Sequence, residues 1–434
     1  MQMNRRLWKK QLAIALVSGY VTMGASLASA APMELTLEES IQLALTNNPA
    51  VKMAETNKTK ASWGVKAARA NKAPSVTLTH TSSRVRSDPS KSAGVSQIGE
   101  RFENVADLTW PIYTSGKVEG TIAQAKLGLK VAELGTAEAR QQIKLEATTA
   151  YFNLLQAGHL VTLNQESVDR LAAHLKNVQA QYAAGTVAKT DVLRSEVELA
   201  NAQQDLIQVQ NSADLAAAAL NNVLGLPLDT QITIKDQLKQ EAVEWTMEES
   251  IGKAMADRPD AAQAKTNVQI AKYGVTVARS DRYPTIALFA SQGYNDDEFP
   301  GDDNSNWAVG VSATWNVFDS GLSRSKVRQS QADLEYAKLQ QKQALDGVEL
   351  EVRQAYLNVR EAEKRIATNQ VAVNKAEEDY KIAQVRYTSG VGTNLDVIDS
   401  EVALTRAKTN YIQALYDYNT SRAQLEKAVG ARTE

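Results

Sequence analysis

The side chains able to do chemistry are few and scattered. Cysteine is absent from the 434 residues, which excludes a disulfide framework, a thiolate metal site, a cysteine nucleophile and a lipid anchor on cysteine. Of the three histidines, His80, His159 and His174, the last two lie too far apart to share a site on one helix, and all three are expected at exposed or lumen-facing positions. No Ser/His/Asp pattern and no phosphate-cradling glycine loop occurs. The densest carboxylate run, Asp296, Asp297, Glu298, Asp302 and Asp303, could collect divalent cations but lacks the spacing of a calcium loop, so it reads as a solvated loop. Two more carboxylates, Asp396 and Asp399 in DVID, follow a glycine turn, where a helix dipole favours negative charge. These residues support neither an enzyme nor a bound cofactor or metal. A net charge of −2 leaves no electrostatic footprint for nucleic acid.

What positions these side chains is a chain written twice. LTLEESIQLALTNNP from Leu35 is echoed by WTMEESIGKAMADRP from Trp245, so that Pro49 matches Pro259 and Pro74 matches Pro284. Further on, WPIYTSG at Trp110 matches WNVFDSG at Trp315, QYAAG at Gln181 matches RYTSG at Arg386, and Gly225 matches Gly430. The first copy therefore carries five extra residues between Pro74 and Trp110, as a tolerant loop allows.

Each copy holds two strand patterns. The clearest is Trp307 to Phe318, where Trp307, Val309, Val311, Ala313, Trp315 and Val317 alternate with smaller or more polar residues. The others are Val76 to Ser83, Val105 to Tyr113 and Thr285 to Tyr294, which places the hairpins at 75–113 and 285–318. Each strand is close to the roughly 9–11 residues that a tilted strand needs to cross a bilayer, and Trp110 and Trp315 suit an interfacial aromatic girdle. Four strands cannot close a barrel, for which about eight are the practical minimum, and lipid does not tolerate an open edge. Strands that cross a membrane must then be completed by further copies: two would supply eight strands, three would supply twelve. A soluble hairpin docked on helices is the other reading of the same alternation.

With aromatic residues at 6%, 22 Gly and 9 Pro, the composition points to long helices. No proline falls between Lys117 and Gly185 or between Gly321 and Gly390, so each stretch is expected to be one helix of roughly 100 Å. Ile143, Ala147, Ala150, Leu154, Ala157, Val161, Asn164, Val168, Leu171, Leu175, Val178 and Tyr182 keep a 3.5-residue period, the seam of a left-handed coiled coil. Val348, Val352, Ala355, Val359, Ala362, Ile366, Asn369, Val373, Ala376, Tyr380, Ala383 and Tyr387 repeat it. Asn164 and Asn369 occupy one seam position, where a polar residue fixes register. Return helices follow tips at 185–190 and 390–395, making two helical hairpins.

The first thirty residues are an address: Arg5, Arg6, Lys9 and Lys10, an apolar run from Leu12 to about Met23, and Ala28-Ser29-Ala30, a secretory signal peptide cleaved after Ala30. The organisation read from the sequence is signal peptide 1–30, first repeat 31–225, equatorial linker 226–245 and second repeat 246–434. The fold class is mainly α, with long antiparallel coiled-coil hairpins and a small β part; that the hairpins form an α-barrel tunnel is what the family resemblance given next implies.

Over its whole mature length the chain resembles the TolC family of outer-membrane efflux channels. The carriers are the double repeat, the two strand-to-helix junctions, AYFNLL and AYLNVR, and the tips QYAAGTVAKTDVLRSE and RYTSGVGTNLDVIDSE. The resemblance implies a homotrimer whose twelve strands form one transmembrane β-barrel, localised to the outer membrane and continued by a helical tunnel into the periplasm. It implies partnership with outer-membrane lipid, a periplasmic adaptor (membrane fusion) protein and an inner-membrane transporter, in efflux or type I secretion, without enzymatic activity. It also implies a gate of aspartates matching Asp396 and Asp399, three copies of each ringing a narrow axis, a barrier to anions and a binding ring for cations. The closed tips would be linked through Tyr387 and Asp191. An arginine used by the best-known member falls on Gly392 here, so the closed-state network is either looser in this chain or rebuilt, with Arg194 as the candidate. Gly185, Thr186, Val187, Gly390, Val391 and Gly392 are the candidate adaptor-docking positions, although ending a helix alone explains the glycines. The rival function is a periplasm-spanning tether whose barrel is a plug, and a third is a soluble secreted coiled coil.

Overall fold

The computed structural model describes residues 33–87, 97–236, 238 and 245–431. The expected signal peptide, together with Asp88 and Lys91 of the first strand loop, lies outside the described residues. Each repeat opens with a short helix, α1 (Leu37–Asn47) or α5 (Met247–Asp257), followed by a 22-residue helix, α2 (Pro49–Ala70) or α6 (Pro259–Ser280). Their starts are dictated locally. Thr36 and Thr246 form capping boxes with Glu39 and Glu249, each hydroxyl accepting from the glutamate amide at 3.3 Å. Pro49 and Pro259 open the next helix, where a missing N–H costs nothing.

Each 22-residue helix leads into a hairpin: β2 (Ser75–Ser87) and β3 (Gln97–Tyr113) in the first copy, β5 (Thr285–Asp296) and β6 (Asn304–Thr314) in the second. All four join one antiparallel sheet in the order β2-β3-β5-β6. β6 stops at Thr314 rather than at Phe318, because Thr314 pairs with Thr285 and only Pro284, which has no N–H, precedes that partner. In the other direction β3 begins eight residues earlier than its apolar pattern. Polar residues extend the ladder there, Arg84 facing Glu100 across the strands. A second, two-stranded sheet was not signalled by period. In it β1 (Met33–Leu35) pairs in parallel with β4 (Ile232–Ile234), joining the segment before α1 to the linker between repeats.

The long helices α3 (Lys117–Ala183) and α7 (Leu322–Thr388) each run 67 residues, about 100 Å. They return as α4 (Lys189–Leu224) and α8 (Asn394–Ala428). In α7 every buried residue except Val327 lies on the expected seam. In α3 the seam holds at Ile143, Ala147, Ala157, Leu171 and Val178, but Tyr151, Leu155, Leu163, Ser167 and His174 are buried as well. The difference is positional: α3 packs on both α4 and α8, so two of its faces are covered. The paired asparagines diverge for the same reason. Asn369 donates across the seam to the Asn410 carbonyl at 3.1 Å, whereas Asn164 turns back onto the Leu160 carbonyl of its own helix.

Each repeat has its own core at the level of its short helices. One gathers Leu35, Leu45, Ile143, Tyr151, Leu220 and Leu224; the other gathers Val352, Val359, Ala414, Tyr418 and Leu425. Tyr151 ties the first to the linker, its hydroxyl donating to Asp236 Oδ2 at 2.6 Å, and burial pushes that phenol well above its usual range. A third core mixes the repeats: Val178 and Val192 of the first pack with Ala383, Tyr387 and Val397 of the second.

Candidate functional site

The candidate surfaces are the helical tips, the strand end and the flanks. At the helical end, both tips are the same motif. Gly185 and Gly390 adopt φ of +75° and +74°. Thr186 N–H then reaches the Gln181 carbonyl and Val391 N–H the Arg386 carbonyl, each at 3.0 Å. Thr186, Gly390 and Val391 are exposed, while Val187 packs partly against the mixed core. Gly392 has a separate constraint. A Cβ there would lie 2.9 Å from the Tyr387 nitrogen, so no side chain fits at this position unless the tip backbone moves.

Asp396 and Asp399 are exposed on the first turns of α8, opposite the buried Val397, Ile398 and Ser400. Asp396 caps its own helix: its carboxylate accepts from the Thr393 amide at 3.0 Å, and this bond holds the carboxyl below its usual range. Arg194 is exposed and makes no ion pair among the described residues. Tyr387 is 5% exposed, and among the described residues its hydroxyl has no hydrogen-bond partner. Burial, with the Asp191 charge as a lesser cause, pushes the phenol up. Asp191 meets the neighbouring hairpin through its backbone, its carbonyl accepting from Asn394 Nδ2 at 3.1 Å.

Behind these residues sits a polar layer that motif spacing did not reveal. His174 is buried, not exposed as expected, because α8 covers the second face of α3. Its Nε2 lies 2.6 Å from Asn394 Oδ1, which also accepts from Ser195 at 3.2 Å, and its ring meets Tyr387 at a centroid distance of 5.1 Å. Burial lowers the imidazole pKa. One turn away Glu401, 2% exposed, receives Ser167 Oγ at 2.8 Å, Thr405 Oγ1 at 3.0 Å, and Arg170 Nε and Nη2 at 3.2 and 3.1 Å. This layer bolts one hairpin to the other. His80 and His159 are exposed as expected.

At the strand end, pairing places Val76, Leu108, Ala290 and Val309 in one row, with Trp110, Leu288 and Val311 in the next. The opposite face carries Thr77, Asp107, Ser291 and Ala308 in register. One face is thus apolar and the other largely small and polar, and Val76, Leu78, Trp307, Val309 and Val311 stand exposed. Trp110 and Trp315 mark the boundary with the helices: their indole N–H groups donate to the carbonyls of Lys72 and Arg282, each at 3.1 Å. Among the described residues no three metal-ligating side chains converge, in the acidic loop or elsewhere.

The flanks are the third surface. Laterally the elements run β2-β3-β5-β6 in the sheet, α2-α3-α6-α7 below it and α4-α3-α8-α7 towards the tips. The outer members keep apolar residues in the open. On α7, Tyr336, Leu350, Leu357, Val371 and Val385 are exposed at spacings of seven or multiples of seven; α4 exposes Leu193, Val197, Ile207 and Leu215, and α2 exposes Met53 and Trp63. Gln343, Lys364 and Glu378 interrupt the α7 series, so the flank is a broken row of apolar residues between polar ones rather than a continuous seam.

The sequence profile of the family described as outer membrane efflux protein matches residues 40–226 and again 250–431, one match per repeat. Among curated relatives, the outer membrane protein TolC of Escherichia coli (strain K12) is 24% identical over 312 residues, 68% of this chain and 62% of that protein. The alkaline protease secretion protein AprF of Pseudomonas aeruginosa is 23% identical over 305 residues, again 68% of this chain and 62% of the relative. Each match therefore spans less than two thirds of the relative's length. Among solved structures, the CmeC outer membrane channel of Campylobacter jejuni superposes with a TM-score of 0.81 at 19% identity, over 91% of this chain and 85% of that one. That likeness establishes a shared fold.

Proposed function

The chain belongs to the outer membrane efflux protein family, and from that premise we propose that three copies form an export duct through the outer membrane and across the periplasm. The observation that carries this reading is the unpartnered flank in every layer. A four-stranded antiparallel sheet with two free edges is unstable in lipid. Because β2 and β6 run in opposite directions, β6 of one copy can pair antiparallel with β2 of the next until a ring closes. Three copies give twelve strands, with the apolar face towards lipid and the small polar face towards a wet lumen. The same rotation sets α7 beside the next copy's α4 and α2, covering the exposed apolar residues of all three.

In this duct the tips are the entrance. Asp396 and Asp399 from three copies would set six carboxylates around the axis, favouring cations and repelling anions. Tyr387, Asp191 and Arg194 lie where the closed state would be held, and Gly185, Thr186, Val187, Gly390, Val391 and Gly392 would meet a periplasmic adaptor bound to an inner-membrane transporter. The transporter selects cargo, and the duct itself performs no reaction. Single-channel recording in a planar bilayer tests the reading. The protein is expected to give small, cation-preferring currents, and Asp396→Asn/Asp399→Asn, which keeps an oxygen to cap α8, should lose that preference. Stable insertion without current from either protein would contradict a duct and leave a tether. Large currents indifferent to the substitutions would contradict the gate.

A further inference from the structure

The two copies of the strand-to-helix junction differ in charge. In the first, Lys72 pairs with Glu119 at 3.2 Å. The repeat-related residues in the second copy are Arg282 and Arg324, two cations where the first copy has an ion pair. They line one recess of about 420 Å³ between the end of α6 and the start of α7, together with Arg279, Arg328 and Tyr283. The neighbouring carboxylates are committed elsewhere. Asp281 is held by Lys117 at 2.9 Å and Lys326 at 3.4 Å, and Asp319 accepts from the Ser323 and Gly321 amides at 2.8 and 3.0 Å. Among the described residues Arg279, Arg282, Arg324 and Arg328 have no carboxylate partner; Arg328 reaches only Gln331, at 3.4 Å.

All four side chains are exposed and screened from one another by water, and an anion that enters the recess meets four guanidiniums with no carboxylate competing for them. The planar fork of each matches phosphate oxygens in pairs. The level of the recess identifies the source. Arg282 receives on its carbonyl the indole N–H of Trp315, the residue that marks the end of the apolar strand face, and Tyr283 adds an aromatic ring suited to the interface.

We propose that this recess binds the phosphate of an anionic phospholipid headgroup from the periplasmic leaflet, pinning the second repeat's helices to the membrane surface. The proposal rests on the membrane placement of the strands given above. Calorimetric titration of the delipidated, detergent-solubilised assembly tests it, using short-chain phosphatidylglycerol, short-chain phosphatidylcholine and inorganic phosphate as probes. Phosphatidylglycerol should bind best, and Arg282→Gln/Arg324→Gln should weaken it by at least about tenfold, since each interfacial cation contributes severalfold. Lys72→Gln/Glu119→Gln, at the repeat-related junction, should bind as the parent does. Unchanged affinity in the arginine variant overturns the site. Inorganic phosphate binding as tightly as phosphatidylglycerol overturns the lipid assignment in favour of a free anion. Arg279→Gln/Arg328→Gln gives the same reading if the first pair fails to fold. Because binding is read in detergent, it can fail while the channel conducts, and can hold while the channel does not.

Discussion

His174 carries the clearest residue-scale consequence. Its ring meets Asn394 of α8 and Tyr387 of α7, Asn394 in turn accepts from Ser195 of α4, and Arg170 lies one turn earlier on α3. None of these supplies a negative charge at the imidazole. Burial lowers its pKa in the folded protein, so below about 6.5 the unfolded chain takes up the proton first and stability falls with pH, levelling off beneath the folded value. Thermal unfolding followed from neutral to mildly acid pH should show this slope, and His174→Gln should flatten it; an equal slope in both proteins would remove His174 as the cause. The sequence could not place this histidine, nor separate Tyr387, 5% exposed, from its repeat mate Tyr182 at 45%. Their local sequences are alike. What differs is that Tyr387 packs against the other repeat's hairpin, and nothing within a single repeat encodes that.

At the scale of elements, period and punctuation were enough. The proline-free stretches became 67-residue helices, the glycine turns became tips, and the α7 seam is buried almost residue for residue. Contacts between helices of different repeats were not legible. Glu401 and its repeat mate Glu196 both sit in the sequence SEV, yet one is buried under Arg170 and the other is exposed, because α8 lies inside the protomer and α4 on its flank. The β1 and β4 strands escaped notice because three residues are too short to show alternation. Arg170→Leu tests the bolt between hairpins. It strands the Glu401 carboxylate in a dry contact, and should cost about 3 kcal/mol in denaturant unfolding while leaving helix content unchanged. A loss near zero would mean that the α3–α8 contact is held by its apolar residues alone.

At the scale of the whole molecule, a duct requires the ring of copies to close. For strands that cross a membrane the strand count required further copies, and the structure adds that the sheet, the helices next to it and the tip hairpins all leave their flanks open on the same two sides. Because the chain has no cysteine, engineered thiols report contacts without background. Thr77 on β2 shares the sheet's polar face with Ala308, Gly310 and Ser312 on β6. The most direct measurement is therefore oxidative cross-linking of membranes carrying Thr77→Cys combined in turn with Ala308→Cys, Gly310→Cys or Ser312→Cys, read on a non-reducing gel. A three-copy ring gives dimers and trimers and nothing larger from at least one pair. A series that stops at dimers, one that climbs past trimers, or monomers alone from every pair would contradict a three-copy barrel.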